Sequence, residues 1–227
     1  MINLVYRHLV QKAIALYNQS LKITERIGNV QTKAATLHQL AGIYADKGEV
    51  DEAMSTTGYA YALYNKSLEI FERIGNVQGK AANLHELGNI YANKGELDEA
   101  MSTTGYAYAL FNQSLEIFER IGNVQGKAAN LHELGNIYAN KGELDEAMST
   151  TGYAYALYNK SLEIFERIGN VQGKAMTLWR LGDLAEQQGE NTKARSYLQP
   201  ALEILQRLKS PDAEGVRASL DRVMGNS

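Results

Sequence analysis

The string Ile-Gly-Asn-Val-Gln begins at Ile27, Ile74, Ile121 and Ile168, three equal steps of 47 residues. A chain that copies itself at a fixed period of this size is built from one small unit stacked on its neighbours. A single unit of that length cannot bury its apolar face alone, so the stack supplies the core. The copying is close: residues 66–111 and 113–158 are the same text except at Lys66/Gln113 and Phe111/Tyr158. Identity of that order means recent duplication or deliberate construction.

Each unit reads as two helices. Only two prolines occur, Pro200 and Pro211, and alanine and leucine are the commonest residues, a composition that favours helix. The first helix of a unit is expected from about Val77 to Asn93, with Leu84, Leu87, Gly88 and Tyr91 on one face at three- and four-residue spacing. Asn76 is placed to cap it, and Lys94-Gly95 to close it. The second helix is expected to start near Leu97, carry Ala100, Leu110, Phe111, Leu115, Ile117 and Phe118 inward, and stop at Gly122.

The segment Leu84-His85-Glu86-Leu87-Gly88-Asn89-Ile90-Tyr91, followed by Gly95 and Asp98-Glu99-Ala100, resembles a tetratricopeptide repeat. It is most similar to the variant of about 40 residues whose first helix carries Leu-Gly-Asn. The pattern recurs at residues 37–53, 131–147 and, degraded, 178–194. The resemblance implies an all-α solenoid of helical hairpins with a right-handed superhelix, and it places Gly88 and Ala100 where two helices approach closely. The units then run 29–75, 76–122, 123–169 and 170–209, between a lone helix at 1–28 and a capping helix at 210–227. Ser210-Pro211-Asp212 opens that last helix as N-cap, first-turn proline and acidic residue, and Pro200 is expected to kink the helix before it.

The period is seven residues longer than that variant. The excess is Ser-Thr-Thr-Gly-Tyr-Ala-Tyr at residues 55–61, 102–108 and 149–155, missing from the last unit and from the N-terminal helix. Seven residues of helix turn through about 700°, so a lengthened second helix would resume about 20° out of phase. The competing expectation is a helix from Leu97 to Ser102, a break at residues 103–105, and a new helix from Tyr106, because Thr-Thr-Gly is poor helix material.

In the resembled family the first helices line a concave groove that holds peptides. Carried over by position, the groove residues are His38, His85, Asn89, Asn93, His132, Asn136, Asn140, Trp179 and Asp183. Asparagine side chains can hydrogen-bond a peptide backbone and Trp179 can anchor an apolar side chain. A shared metal is excluded for the histidines: equivalent positions lie roughly 10 Å apart, against metal–nitrogen bonds near 2 Å. The insert adds Tyr59, Tyr61, Tyr106, Tyr108, Tyr153 and Tyr155, candidates for self-association through large rings with polar tips. The opposing expectation packs these rings internally, since tyrosines two apart on a helix would not both face outward.

Several classes fall away. The net charge of −3 offers no basic face for nucleic acid. Cysteine is absent, which removes disulfides, thiolate metal sites and a cysteine nucleophile. No stretch approaches the roughly 20 apolar residues that span a bilayer, and no leader is evident, so a cytoplasmic setting is expected. Gly75-Asn76-Val77-Gln78-Gly79-Lys80 lacks the spacing and the hydroxyl of a phosphate loop. No nucleophile–base constellation is present and no cofactor is implied. The expectation is a non-catalytic scaffold that binds a protein or peptide, or else a structural repeat whose inserts alter geometry or drive self-association.

Overall fold

The computed structural model describes residues 2–51, 54–98, 101–145 and 148–225. Over these residues the chain is ten α-helices without a strand: α1 (Ile2–Ile27), α2 (Val30–Asp51), α3 (Met54–Arg73), α4 (Val77–Asp98), α5 (Met101–Arg120), α6 (Val124–Asp145), α7 (Met148–Ile168), α8 (Val171–Gln187), α9 (Asn191–Arg207) and α10 (Ala213–Met224). Two compact units result, residues 1–121 with α1–α5 and residues 122–227 with α6–α10. Within each, helices pair as antiparallel hairpins, α2 with α3, α4 with α5, α6 with α7 and α8 with α9.

The junctions between hairpins follow the chemistry of Ile-Gly-Asn. Gly75 takes φ +68°, a left-handed turn that glycine adopts without strain. The amide of Gly75 then donates to Glu72 O and that of Asn76 to Phe71 O, at 3.1 and 2.9 Å, closing the preceding helix. The Asn76 carboxamide turns forward and accepts from Gly79 N at 2.9 Å, as Asn29 does from Thr32 and Asn123 and Asn170 do from Gly126 and Gly173. One tripeptide thus ends one helix and caps the next.

The insert is helical in all three copies, and the expected break at residues 103–105 does not occur. Nor does Lys94-Gly95 close the first helix: α4 continues to Asp98, as α2 and α6 continue to Asp51 and Asp145. The last hairpin, which lacks the insert, shows the short form. There α8 ends at Gln187, Gly189 takes φ +72° and α9 starts at Asn191. Against it, α4 gains five residues beyond Asn93, the counterpart of Gln187, and α5 starts three residues earlier relative to its core alanine. Both arms are thus longer than in the last hairpin, α4 reaching Asp98 and α5 starting at Met101.

The core alanine explains why. Ala194 is fully buried, and four residues on, Leu198 lies against Gly182, where an added β-carbon would come within 2.5 Å of Leu198 Cγ. In the lengthened hairpin the fully buried residue is Ala107, and Phe111 four residues on lies against Gly88. Ala107 stands seven residues after Ala100, so a heptad places a second alanine on nearly the same helical line. Ala100 itself lies outside the described residues. Ala60 and Ala154 take the same fully buried place in the other copies.

At the C-terminus, α9 runs without interruption through Pro200. Ser210 Oγ accepts from Asp212 N at 3.3 Å, α10 follows from Ala213, and Gly225 ends it at φ 70°.

Candidate functional site

In the first unit α2 and α4 carry His38, His85, Asn89 and Asn93; in the second, α6 and α8 carry His132, Asn136, Asn140, Trp179 and Asp183. His38, His85 and His132 are half-buried, each with its ring against the aromatic residue of its own second helix: Tyr64, Phe111 and Tyr158, at centroid distances of 5.3, 5.5 and 5.5 Å. His38 Nδ1 donates to Asn83 Oδ1 at 2.9 Å. Asn83, fully buried, donates onward to Ser67 Oγ at 3.0 Å, and Ser67 donates to Ala34 O at 2.8 Å. This chain of bonds ties α2, α3 and α4 together. In the second unit His132 Nδ1 donates to Thr177 Oγ1 at 3.1 Å, and Thr177 donates to Gly173 O at 2.8 Å. These two rings are therefore connectors between successive first helices, not solvated side chains. Among the described residues no group of three histidine, aspartate or glutamate side chains could hold a metal ion.

Asn83 and Ser67 escaped sequence reasoning. The signal was there: one position holds Thr36, Asn83, Asn130 and Thr177, and the next serine column holds Ser67, Ser114 and Ser161, all buried. Small polar residues recurring on an apolar helical face mark a bond that the stack requires.

Asn89 and Asn136 are half-buried and donate to Glu86 and Glu133, one turn back, at 3.3 and 2.9 Å. Asn136 Oδ1 also accepts from the Tyr158 hydroxyl at 2.7 Å. Asn93 and Asn140 are exposed. In the last hairpin α10 covers the corresponding face. Trp179 Nε1 donates to Ser219 Oγ at 3.2 Å, and Ser219 donates to Asp183 Oδ1 at 2.8 Å. The indole lies so close to Gly215 that a β-carbon there would meet it at 2.6 Å. Arg222 clamps Glu186 through two bonds, at 2.9 and 3.0 Å. Burial holds the Asp183 carboxyl above the usual carboxylate range, against the Ser219 bond and the Arg180 charge.

The inserts carry the exposed aromatic surface. Tyr59, Tyr106 and Tyr153 are 60–63% exposed, and each leans on the tyrosine near the end of its own first helix. The pairs are Tyr44–Tyr59, Tyr91–Tyr106 and Tyr138–Tyr153, at 5.9, 5.6 and 5.5 Å with ring tilts of 31°, 31° and 32°. Tyr61 and Tyr108 are exposed as well, at 39% and 41%. Two tyrosines two apart thus do both reach solvent. The residue between them, Ala60 or Ala107, is the one aimed at the core, and its neighbours flank it by about 100° on either side. Tyr155 differs, with its ring half-buried beneath the Lys193 ammonium at 4.2 Å. Tyr61 also meets Tyr91 edge-on at 5.9 Å, and the Tyr91 hydroxyl donates to that of Tyr61 at 3.4 Å. That bond, and then burial, pushes the Tyr91 phenol up to about 12.

Known proteins share this architecture. Family models described as tetratricopeptide repeat match residues 81–103, 128–150 and 154–207. No curated protein matches in sequence. Among solved structures, BtubC (BKLC) from P. vanneervenii superposes with a TM-score of 0.70 at 18% identity, covering 94% of this chain and 82% of that one. A putative kinesin light chain from Podosopora anserina with nearly identical TPR-like repeats gives 0.57 at 19% identity, covering 89% and 90%. The apo form of RapI gives 0.61 at 16% identity, covering 96% and 71%. At such identities the likeness is one of fold. No described helix is long and apolar enough to cross a membrane. Tetratricopeptide repeats are thus detected over those three segments, and the tandem antiparallel helix pairs of each unit match the fold of TPR-like repeat structures.

Proposed function

We propose that this chain is a non-catalytic scaffold that binds a protein or peptide, and that the tyrosine rows of its lengthened hairpins supply much of the contact. One observation carries the reading: the same tilted tyrosine pair recurs in three hairpins, its outer ring 60–63% exposed each time. Tyrosine offers apolar area at low entropic cost with a hydroxyl for hydrogen bonding, which is why interfaces favour it. The first-helix face contributes Asn93 and Asn140 near the helix ends. His38 and His132 are engaged between helices and its last position lies under α10, so a peptide there would meet asparagine chemistry above all.

The test is selection of a displayed random peptide library on the intact chain. Enriched peptides should lose at least tenfold in affinity when Tyr59, Tyr106 and Tyr153 are replaced together by serine. If the loss follows Asn93→Ala with Asn140→Ala instead, the first-helix face is the contact surface. Failure to enrich any peptide would count against the scaffold reading as a whole. A second reading, a structural repeat whose inserts adjust geometry, rests on the insert being one heptad, the length that preserves the core alanine. Under that reading, deleting all three inserts changes the molecular envelope in small-angle scattering and leaves peptide binding unaffected; under the first, it removes the binding.

A further inference from the structure

Tyr61 and Tyr91 stand 30 residues apart in sequence and meet hydroxyl to hydroxyl at 3.4 Å. Tyr61 belongs to α3 and Tyr91 to α4, so the pair bridges two successive hairpins of the first unit. The rings stand edge-on with centroids 5.9 Å apart, whereas Tyr44–Tyr59 and Tyr91–Tyr106 lean face towards face at 31°. The Tyr61–Tyr91 contact is open to small reagents: Tyr61 is 39% exposed and Tyr91 is half-buried. The chain has no cysteine, so no thiol competes with its phenols for an oxidant.

Phenol chemistry makes this geometry reactive. A phenol that gives up one electron becomes strongly acidic and sheds its proton. The unpaired electron left behind is shared between the oxygen and the two ring carbons ortho to it. The Tyr91 hydroxyl already donates to that of Tyr61, which is itself open to water, so the proton has a way out. Hydroxyls in contact also bring an ortho carbon of each ring within a small side-chain rotation of the other. We propose that Tyr61 and Tyr91 form an oxidative cross-linking site, at which a peroxide-driven one-electron oxidant joins α3 to α4 through a dityrosine bond. Each tyrosine loses one electron and its phenolic proton, and the two phenoxyl radicals couple between ortho carbons. Each of those carbons then releases its hydrogen as a proton while the oxygen regains one, which restores two phenols. The peroxide takes up the two electrons and two protons and leaves as two waters. The resulting strap closes a loop across both helices, a constraint that acts mainly on the unfolded chain. It is independent of whether the tyrosine rows bind a peptide.

The test treats the intact chain with a haem peroxidase and limiting hydrogen peroxide, and keeps the fraction that stays monomeric on size exclusion. That fraction should gain dityrosine fluorescence. Trypsin should release from it residues 48–66 joined to residues 81–94, lighter than the two peptides by the lost hydrogens. Val50 marks the first peptide, since its copies hold Leu97 and Leu144; the second has the same text as residues 128–141, so single variants assign it. Tyr61→Phe and Tyr91→Phe should each abolish the joined species, and Tyr59→Phe and Tyr138→Phe should keep it, all with unchanged far-ultraviolet circular dichroism. The joined chain should also unfold at higher urea than the untreated one. The proposal is overturned if the monomer yields no joined 48–66 peptide, if that species follows Tyr59 or Tyr138 instead, or if dityrosine forms only between chains. A urea midpoint that does not rise overturns the strap as well.

Discussion

At the scale of single residues, buried polar side chains set the register of the stack. Asn83 is fully buried and bonded on both sides, to His38 and Ser67. Asn83→Ala removes an acceptor and a donor at once and leaves the His38 and Ser67 groups short of a partner, which costs about 1–3 kcal/mol; urea denaturation should read that loss, and an unchanged midpoint would refute the role. Tyr91 offers a spectroscopic check. Its folded-state value of about 12 lies above the ordinary phenol value of about 10. The group therefore contributes stability that is complete below about 10 and is lost as pH rises through about 12. Tyr61→Phe removes the acceptor of the Tyr91 hydroxyl, and phenolate absorbance should then show that residue titrating closer to its ordinary value.

At the scale of the helix and the hairpin, glycines in equivalent backbone play opposite parts. A β-carbon at Gly88 would lie 2.7 Å from the Phe111 ring, whereas at Gly105 it would meet nothing within 4 Å. Both residues are helical. Gly88→Ala should therefore destabilise by about 1–3 kcal/mol through overpacking, and Gly105→Ala should stabilise by roughly 0.5–1 kcal/mol by restricting the unfolded chain. Thermal denaturation of both variants reads the two signs, and a destabilising Gly105→Ala would mean that the insert is not one continuous helix. The helix junctions were legible beforehand, because Ile-Gly-Asn contains both a left-handed residue and a cap within three positions. The hairpin tip was not. A glycine at the end of the first helix closes the short hairpin at Gly189, but its counterpart in Lys-Gly-Glu is helical where the insert is present, so one local signal has two fates decided seven or more residues away.

At the scale of the whole molecule, a solenoid is held by contacts between neighbours, and each compact unit carries its own. Residues 122–227 enclose a core of Leu178, Leu198, Leu205, Val216 and Leu220, closed by α10. That fragment should fold alone, with a helical spectrum and a cooperative thermal transition; a fragment without a transition would show that its core needs the first unit.

The 47-residue period, the helical composition and the Ile-Gly-Asn junctions follow from the sequence alone. Each is a local or periodic property, and local rules of capping, backbone freedom and amphipathic spacing suffice to read it. Only the tertiary structure decided how far each arm of the hairpin extends, that Ala60, Ala107 and Ala154 are buried in the core, and what His38, His132 and Trp179 touch. The physical reason is common to all three. The partners concerned lie 16 to 45 residues away in sequence on packed helices, so burial and hydrogen bonding there depend on how the arms are paired. The strongest local signal, a glycine after lysine, yields when seven more residues of helix can be matched across the hairpin by extending both arms.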